Sequence, residues 1–168
     1  MPGPYELYFF RHGLAAERGD AWPDDTKRPL TEEGMSRLRK AVRGLAHLGV
    51  SVEVVLSSPL VRARQTAEIV AGGLDPRPSL VNVDSLAPDG AYAAVVADLE
   101  KHARKTRIAL VGHEPMMGEL AARLIGSRHP IEFKKGGVCR IDVEDLPPAG
   151  PGDLRWMLTP KILRALKK

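Results

Sequence analysis

The sequence predicts an α/β domain of three layers, with helices on both faces of a mostly parallel sheet. Three observations predict it. Short apolar runs alternate with longer stretches whose apolar residues recur at three and four positions, the pattern of strands alternating with amphipathic helices. The principal runs stop abruptly at a charged residue, a serine or a glycine, as buried strands do where they emerge at a sheet edge. The last part loses the alternation: residues 137–143 and 153–158 read as two strands joined by the turn-rich Pro147-Pro148-Ala149-Gly150-Pro151-Gly152, which gives the sheet a mixed edge.

The first run, Tyr5-Glu6-Leu7-Tyr8-Phe9-Phe10, reads as a central strand, and it ends at Arg11-His12-Gly13. A cation and an imidazole therefore stand at a strand's carboxyl end, where open α/β sheets bind ligands, and the glycine allows a sharp turn and close approach. Residues 14–30 have no sustained period and read as a long loop, a length that is commonly functional. Thr31 is the expected N-cap of the first helix, with Glu32 and Glu33 in its first turn and Met35, Leu38, Val42 and Leu45 as its apolar stripe. Gly34 weakens that turn slightly, and Gly49 ends the helix.

Val52 to Ser57 is the second strand. Ser58 is expected to cap the next helix and Pro59 to open it, with Leu60, Ala63, Ala67 and Val70 inward and Arg62 and Thr66 one turn apart on an adjacent face. A short strand over 80–83, an irregular stretch 86–90 and a helix from Ala91 with Tyr92, Val95, Val96 and Leu99 inward come next. Arg107 to Val111 is the fourth strand, followed at once by Gly112-His113-Glu114-Pro115 and a helix carrying Met117, Leu120, Ala121 and Leu124.

The chain has 168 residues and 43% hydrophobic composition, which suits a single domain over 1–168. Its net charge of +4 fits an anionic substrate and is too diffuse to indicate nucleic acid. The densest cations, Lys161, Arg164, Lys167 and Lys168, read as a solvated terminal helix. The one cysteine, Cys139, allows no internal disulfide and lies in an apolar run, as a small core residue would. The start of the chain has no basic segment before an apolar signal core, and no run approaches the roughly 18 apolar residues of a membrane span. A cytoplasmic monomer without membrane attachment is expected.

Parallel strands bring Arg11, His12, Arg62 and His113 to one edge of the sheet. Arginine forks bind phosphate oxygens in bidentate fashion, and cations beside an imidazole keep it neutral and nucleophilic. Arg64, two positions beyond Arg62, points away from that face. A metal held by His12, His113 and Glu114 would be repelled by the arginines, so no metal and no cofactor is expected.

With Arg11-His12-Gly13 after the first strand, Leu30-Thr31-Glu32-Glu33-Gly34, Ser58-Pro59-Leu60-Val61-Arg62-Ala63-Arg64-Gln65-Thr66-Ala67 and Gly112-His113 in order, the sequence resembles the histidine phosphatase superfamily. The resemblance implies a phosphoglycerate mutase-like fold. It also implies that His12 becomes phosphorylated while Arg11, Arg62 and His113 bind the transferring phosphoryl group. Members acting on phosphate esters usually carry an acidic proton donor. Here the segment after the third strand, Asp84-Ser85-Leu86-Ala87-Pro88-Asp89-Gly90, has no glutamate, which leaves Glu114 as a possible proton donor or as a cap of the following helix. The short chain and Leu86-Ala87-Pro88-Asp89-Gly90 resemble the SixA-type branch. A phosphohistidine-containing protein is then the expected substrate, because a leaving imidazole is easily protonated. A small phosphorylated compound, and a catalytically idle phosphate-binding module, are the alternatives.

Overall fold

The computed structural model describes residues 3–166. One six-stranded sheet runs through it, formed by β1 (Tyr5–Arg11), β2 (Val54–Ser57), β3 (Ser79–Asn82), β4 (Arg107–Gly112), β5 (Val138–Val143) and β6 (Asp153–Leu158). Their spatial order is β3-β2-β4-β1-β5-β6. The first four positions are parallel, and β5 and β6 return antiparallel, so the mixed edge expected from the broken last part of the sequence is present.

Helices cover both faces. α1 (Glu32–His47), α2 (Val61–Gly73) and α5 (Pro160–Ala165) lie on the side of Tyr8 and Phe10, where Leu45, Ala63, Ala67 and Leu163 are buried. α3 (Tyr92–Lys101) and α4 (Met116–Leu124) lie on the opposite side with Leu7 and Phe9. Alternate residues of β1 thus feed two separate cores, which is why its apolar run from Leu7 to Phe10 is continuous rather than alternating. Burying each such Phe or Leu side chain contributes about 1.5–3 kcal/mol, so the two cores grip the central strand from both faces.

Local chemistry sets the helix ends. Thr31 Oγ1 accepts the Gly34 N–H at 2.8 Å, capping α1, and Gly49 leaves it with φ +81°. Gly34 is required rather than merely tolerated: a Cβ there would sit 2.3 Å from the Leu14 carbonyl oxygen, so the glycine lets the loop leaving β1 lie against α1. Ser58 does not cap α2, whose N-cap is Leu60 with no side-chain bond; its hydroxyl accepts the Leu60 N–H at 3.2 Å within the turn and reaches another partner. The terminal helix is not fully solvated. Leu163 is buried on α1, where Gly44 admits the α5 backbone, while Lys167 and Lys168 lie outside the described residues. Cys139 is buried in β5. No helix among the described residues is long and apolar enough to cross a membrane.

Candidate active site

The register of three adjacent strands builds the site. Arg11 pairs with Gly112, and Ser57 with Val111, so β1, β4 and β2 end side by side. The pairing continues one step beyond them. The His12 N–H donates to Gly112 O at 3.0 Å and the Ser58 N–H to Val111 O at 3.0 Å, which brings His12, Ser58 and His113 together at the edge. Gly136 N–H donates to the carbonyls of both Arg11 and His12, bracing the end of β1 from the β5 side.

His12 is 8% exposed, and its Nδ1 lies 2.8 Å from the carbonyl oxygen of Gly13. A carbonyl only accepts, so Nδ1 carries the proton and the neutral ring presents the Nε2 lone pair. Burial pushes its pKa down to about 4; the Gly13 carbonyl opposes this, and the guanidinium groups of Arg62, Arg11 and Arg28 add to the lowering. The imidazole is therefore neutral across physiological pH. Gly13 is held in turn, its N–H donating to Thr66 Oγ1 at 3.1 Å from α2.

Arg11 donates through Nη1 to Phe133 O at 2.8 Å, and its buried Nε has no partner. Arg62, 2% exposed, points from the first turn of α2 into the same place. Its Nη1 donates to Asp25 O at 2.8 Å and its Nη2 to Asp25 Oδ2 at 3.0 Å, and its Nε is likewise buried and unpartnered. Asp25 belongs to a short 3₁₀ turn, 25–27, in the long loop after β1, and its Oδ1 also accepts from Arg28 Nε at 2.8 Å. The Arg28 guanidinium beside it holds the Asp25 carboxyl below its usual range, with Arg62 contributing.

His113 is 3% exposed, and its ring centroid lies 5.2 Å from that of His12. Its Nε2 is 2.8 Å from Ser58 Oγ. That hydroxyl also accepts the Leu60 N–H, so Ser58 ties the His113 ring to the turn that opens α2. His113 Nδ1 is buried without a partner. Burial lowers its pKa to about 3, with His12 and Arg62 adding to the effect.

Two buried donors without partners, Arg11 Nε and Arg62 Nε, and the unpartnered Nδ1 of His113 thus belong to side chains clustered around a neutral imidazole with a free lone pair. Buried N–H groups left unpaired are costly, and an oxyanion satisfies them. Such a site can bind a tetrahedral anion and offer it a nucleophile.

Glu114 does not reach toward this cluster with a free oxygen. Oε1 accepts the Gly118 N–H at 2.7 Å and Oε2 the Phe133 N–H at 3.0 Å, so the carboxylate ties α4 to the segment that also holds Arg11. Arg64 faces outward and donates to Asn82 Oδ1. Among the described residues no three His, Cys, Asp or Glu side chains are grouped to hold a metal ion. Sequence reasoning missed Asp25, Arg28 and the role of Ser58. The charged residues gathered in the loop leaving β1 were the one available signal for the first two.

Residues 7–86 match the histidine phosphatase superfamily (branch 1). The chain is also 30% identical over 164 residues to phosphohistidine phosphatase SixA of Escherichia coli (strain K12), covering 96% of this chain and 98% of that one. The chain belongs to the histidine phosphatase superfamily, the hydrolases whose phosphoglycerate mutase-like fold this sheet reproduces. Within it the similarity is to the SixA branch. A structure of the protein histidine phosphatase SixA complexed with tungstate superposes with a TM-score of 0.83 at 29% identity, covering 94% of this chain and 99% of that one. An uncharacterized protein of Picosynechococcus sp. (strain ATCC 27264 / PCC 7002 / PR-6) is 44% identical over 138 residues, 79% of this chain and 82% of its own. Phosphoglycerate mutase from Bacillus anthracis str. Sterne shares the fold, with a TM-score of 0.72 at 15% identity over 96% of both chains.

Proposed function

We propose that the chain, working as one domain, hydrolyses phosphohistidine on a protein through a covalent phosphohistidine at His12. The observation that carries this reading is the fixed tautomer of His12 among unpartnered donors. In the first step the His12 Nε2 lone pair forms a bond to phosphorus as the bond from phosphorus to the substrate imidazole nitrogen breaks. The departing nitrogen keeps that electron pair and takes a proton from solvent. Arg11, Arg62 and His113 offset the charge spread over the phosphoryl oxygens. In the second step water attacks the phosphorus, the P–Nε2 bond breaks, and inorganic phosphate leaves with His12 neutral again.

The similarity to SixA proteins supports phosphohistidine over an ester, and so does the engagement of both Glu114 oxygens by backbone amides, which leaves no poised acid for an alkoxide. We assign Glu114 the bracing role. The test is rapid-quench trapping with a phosphohistidine peptide: wild type is expected to accumulate an acid-labile, alkali-stable adduct, and His12→Ala to form none and to lose turnover. Wild-type rates in His12→Ala would refute the mechanism.

A further inference from the structure

Beside the site lies an open groove of about 370 Å³ between α1, the turn at 134–136 and the start of α5. Gly13, Leu14, Leu38 and Pro160 form its apolar part. Its rim carries Arg37, Lys134, Lys135, Lys161 and Arg164, and no carboxylate lines it. Arg37 pairs with Glu33 at 2.5 Å; the other four cations have no ion pair among the described residues.

We propose that this groove docks an acidic segment of the phosphohistidine-bearing protein, its apolar side chains against Leu14, Leu38 and Pro160 and its carboxylates on the rim. The proposal rests on the phosphohistidine reading above. Charge complementarity argues for it, because unpaired cations around an apolar floor favour an occupant that supplies both anions and apolar contact. The four unpaired cations come from two segments, the turn at 134–136 and α5, and are more than one small anion needs, which suits a segment of several residues. The position argues for it as well. Gly13 lines the groove while its carbonyl fixes the His12 ring, and Gly136, another lining residue, is bonded to the Arg11 and His12 carbonyls. A segment seated there is one residue removed from the nucleophile, so the same macromolecule can fill both places.

The experiment compares two phosphohistidine substrates: an acidic protein phosphorylated on histidine with phosphoramidate, and a five-residue phosphohistidine peptide without carboxylate side chains. Lys134→Glu/Lys135→Glu/Lys161→Glu alters three exposed side chains. It is expected to lose about tenfold or more in kcat/KM on the acidic protein, through KM, with a flattened dependence on NaCl. On the peptide it should stay within about twofold of wild type, and the corresponding Lys→Gln variant should fall between on the protein. Equal effects on both substrates, or none on the protein, would overturn docking while leaving the phosphohistidine reading intact. Wild type inactive on both substrates yet active on an alkyl phosphate would remove that reading and the docking with it. A wild-type dimer in sedimentation that the triple variant abolishes would assign the groove to a second copy and overturn the proposal.

Discussion

Replacing Arg62 by lysine separates charge from geometry at the candidate site. Of the five N–H bonds of the Arg62 guanidinium, one on each Nη is directed to Asp25, while Nε–H is buried with no partner. A lysine keeps the positive charge and can still meet the Asp25 carboxylate, but it offers no second donor fixed in the same plane. The expected loss is therefore that of one aimed oxyanion donor, about 2.7–4 kcal/mol or 10²–10³-fold in kcat, with the retained charge favouring the lower end. The assay measures kcat and KM on a phosphohistidine peptide together with inhibition by vanadate, which should weaken in parallel. Arg64→Lys, on the outward side of the same helix, is the control and should match wild type. Thermal unfolding of each variant distinguishes a damaged site from a damaged fold. An Arg62→Lys enzyme with wild-type kcat and wild-type vanadate inhibition would remove Arg62 from the phosphoryl site.

Two further outcomes are expected. The His12 ring, followed by NMR in the free enzyme, should titrate near pH 4 rather than near the ordinary 6.5. Between those values the unfolded chain binds a proton that the native ring excludes, so His12 makes stability fall as pH drops through that window and is neutral in effect above it. A midpoint at 6 or higher would contradict the burial argument. Glu114→Gln leaves one of two backbone amides without its acceptor and should cost about 1–3 kcal/mol in denaturant unfolding. Its phosphohistidine hydrolysis should change little, and a loss on the order of 10²-fold with unchanged stability would make Glu114 a proton donor after all.

The parts of the site that follow from strand ends were legible in the sequence. Arg11, His12 and His113 immediately follow apolar runs, and Arg62 sits at a fixed helical offset from another, so topology alone brought them together. Asp25 and Arg28 were not legible, because they occupy a loop with no period whose path across the site brings Asp25 to Arg62 and Arg28 to Asp25. Ser58 was misread for a related reason: its sequence neighbours suit a helix cap, while its hydroxyl answers to His113, 55 residues away. Gly34 shows the same limit, since helix propensity registers its cost, and only the closeness of the Leu14 carbonyl explains its presence.

The Asp25 clamp changes what phosphate binding is worth. An empty pocket lined by bare guanidinium groups would hold any phosphate tightly, product included, and such an enzyme would stall at the end of each cycle. Here Asp25 already occupies both terminal nitrogens of Arg62, its carboxylate on Nη2 and its backbone carbonyl on Nη1, and Arg28 shares the carboxylate. On the proposed mechanism a phosphoryl oxygen arriving at the unpartnered Nε meets a guanidinium whose charge that carboxylate already partly offsets, so the attraction on arrival and the hold at departure are both reduced. If His12 is the nucleophile, the pocket's selectivity then rests on it and on the shape of the transferring group, and the weaker hold on free phosphate favours repeated turnover.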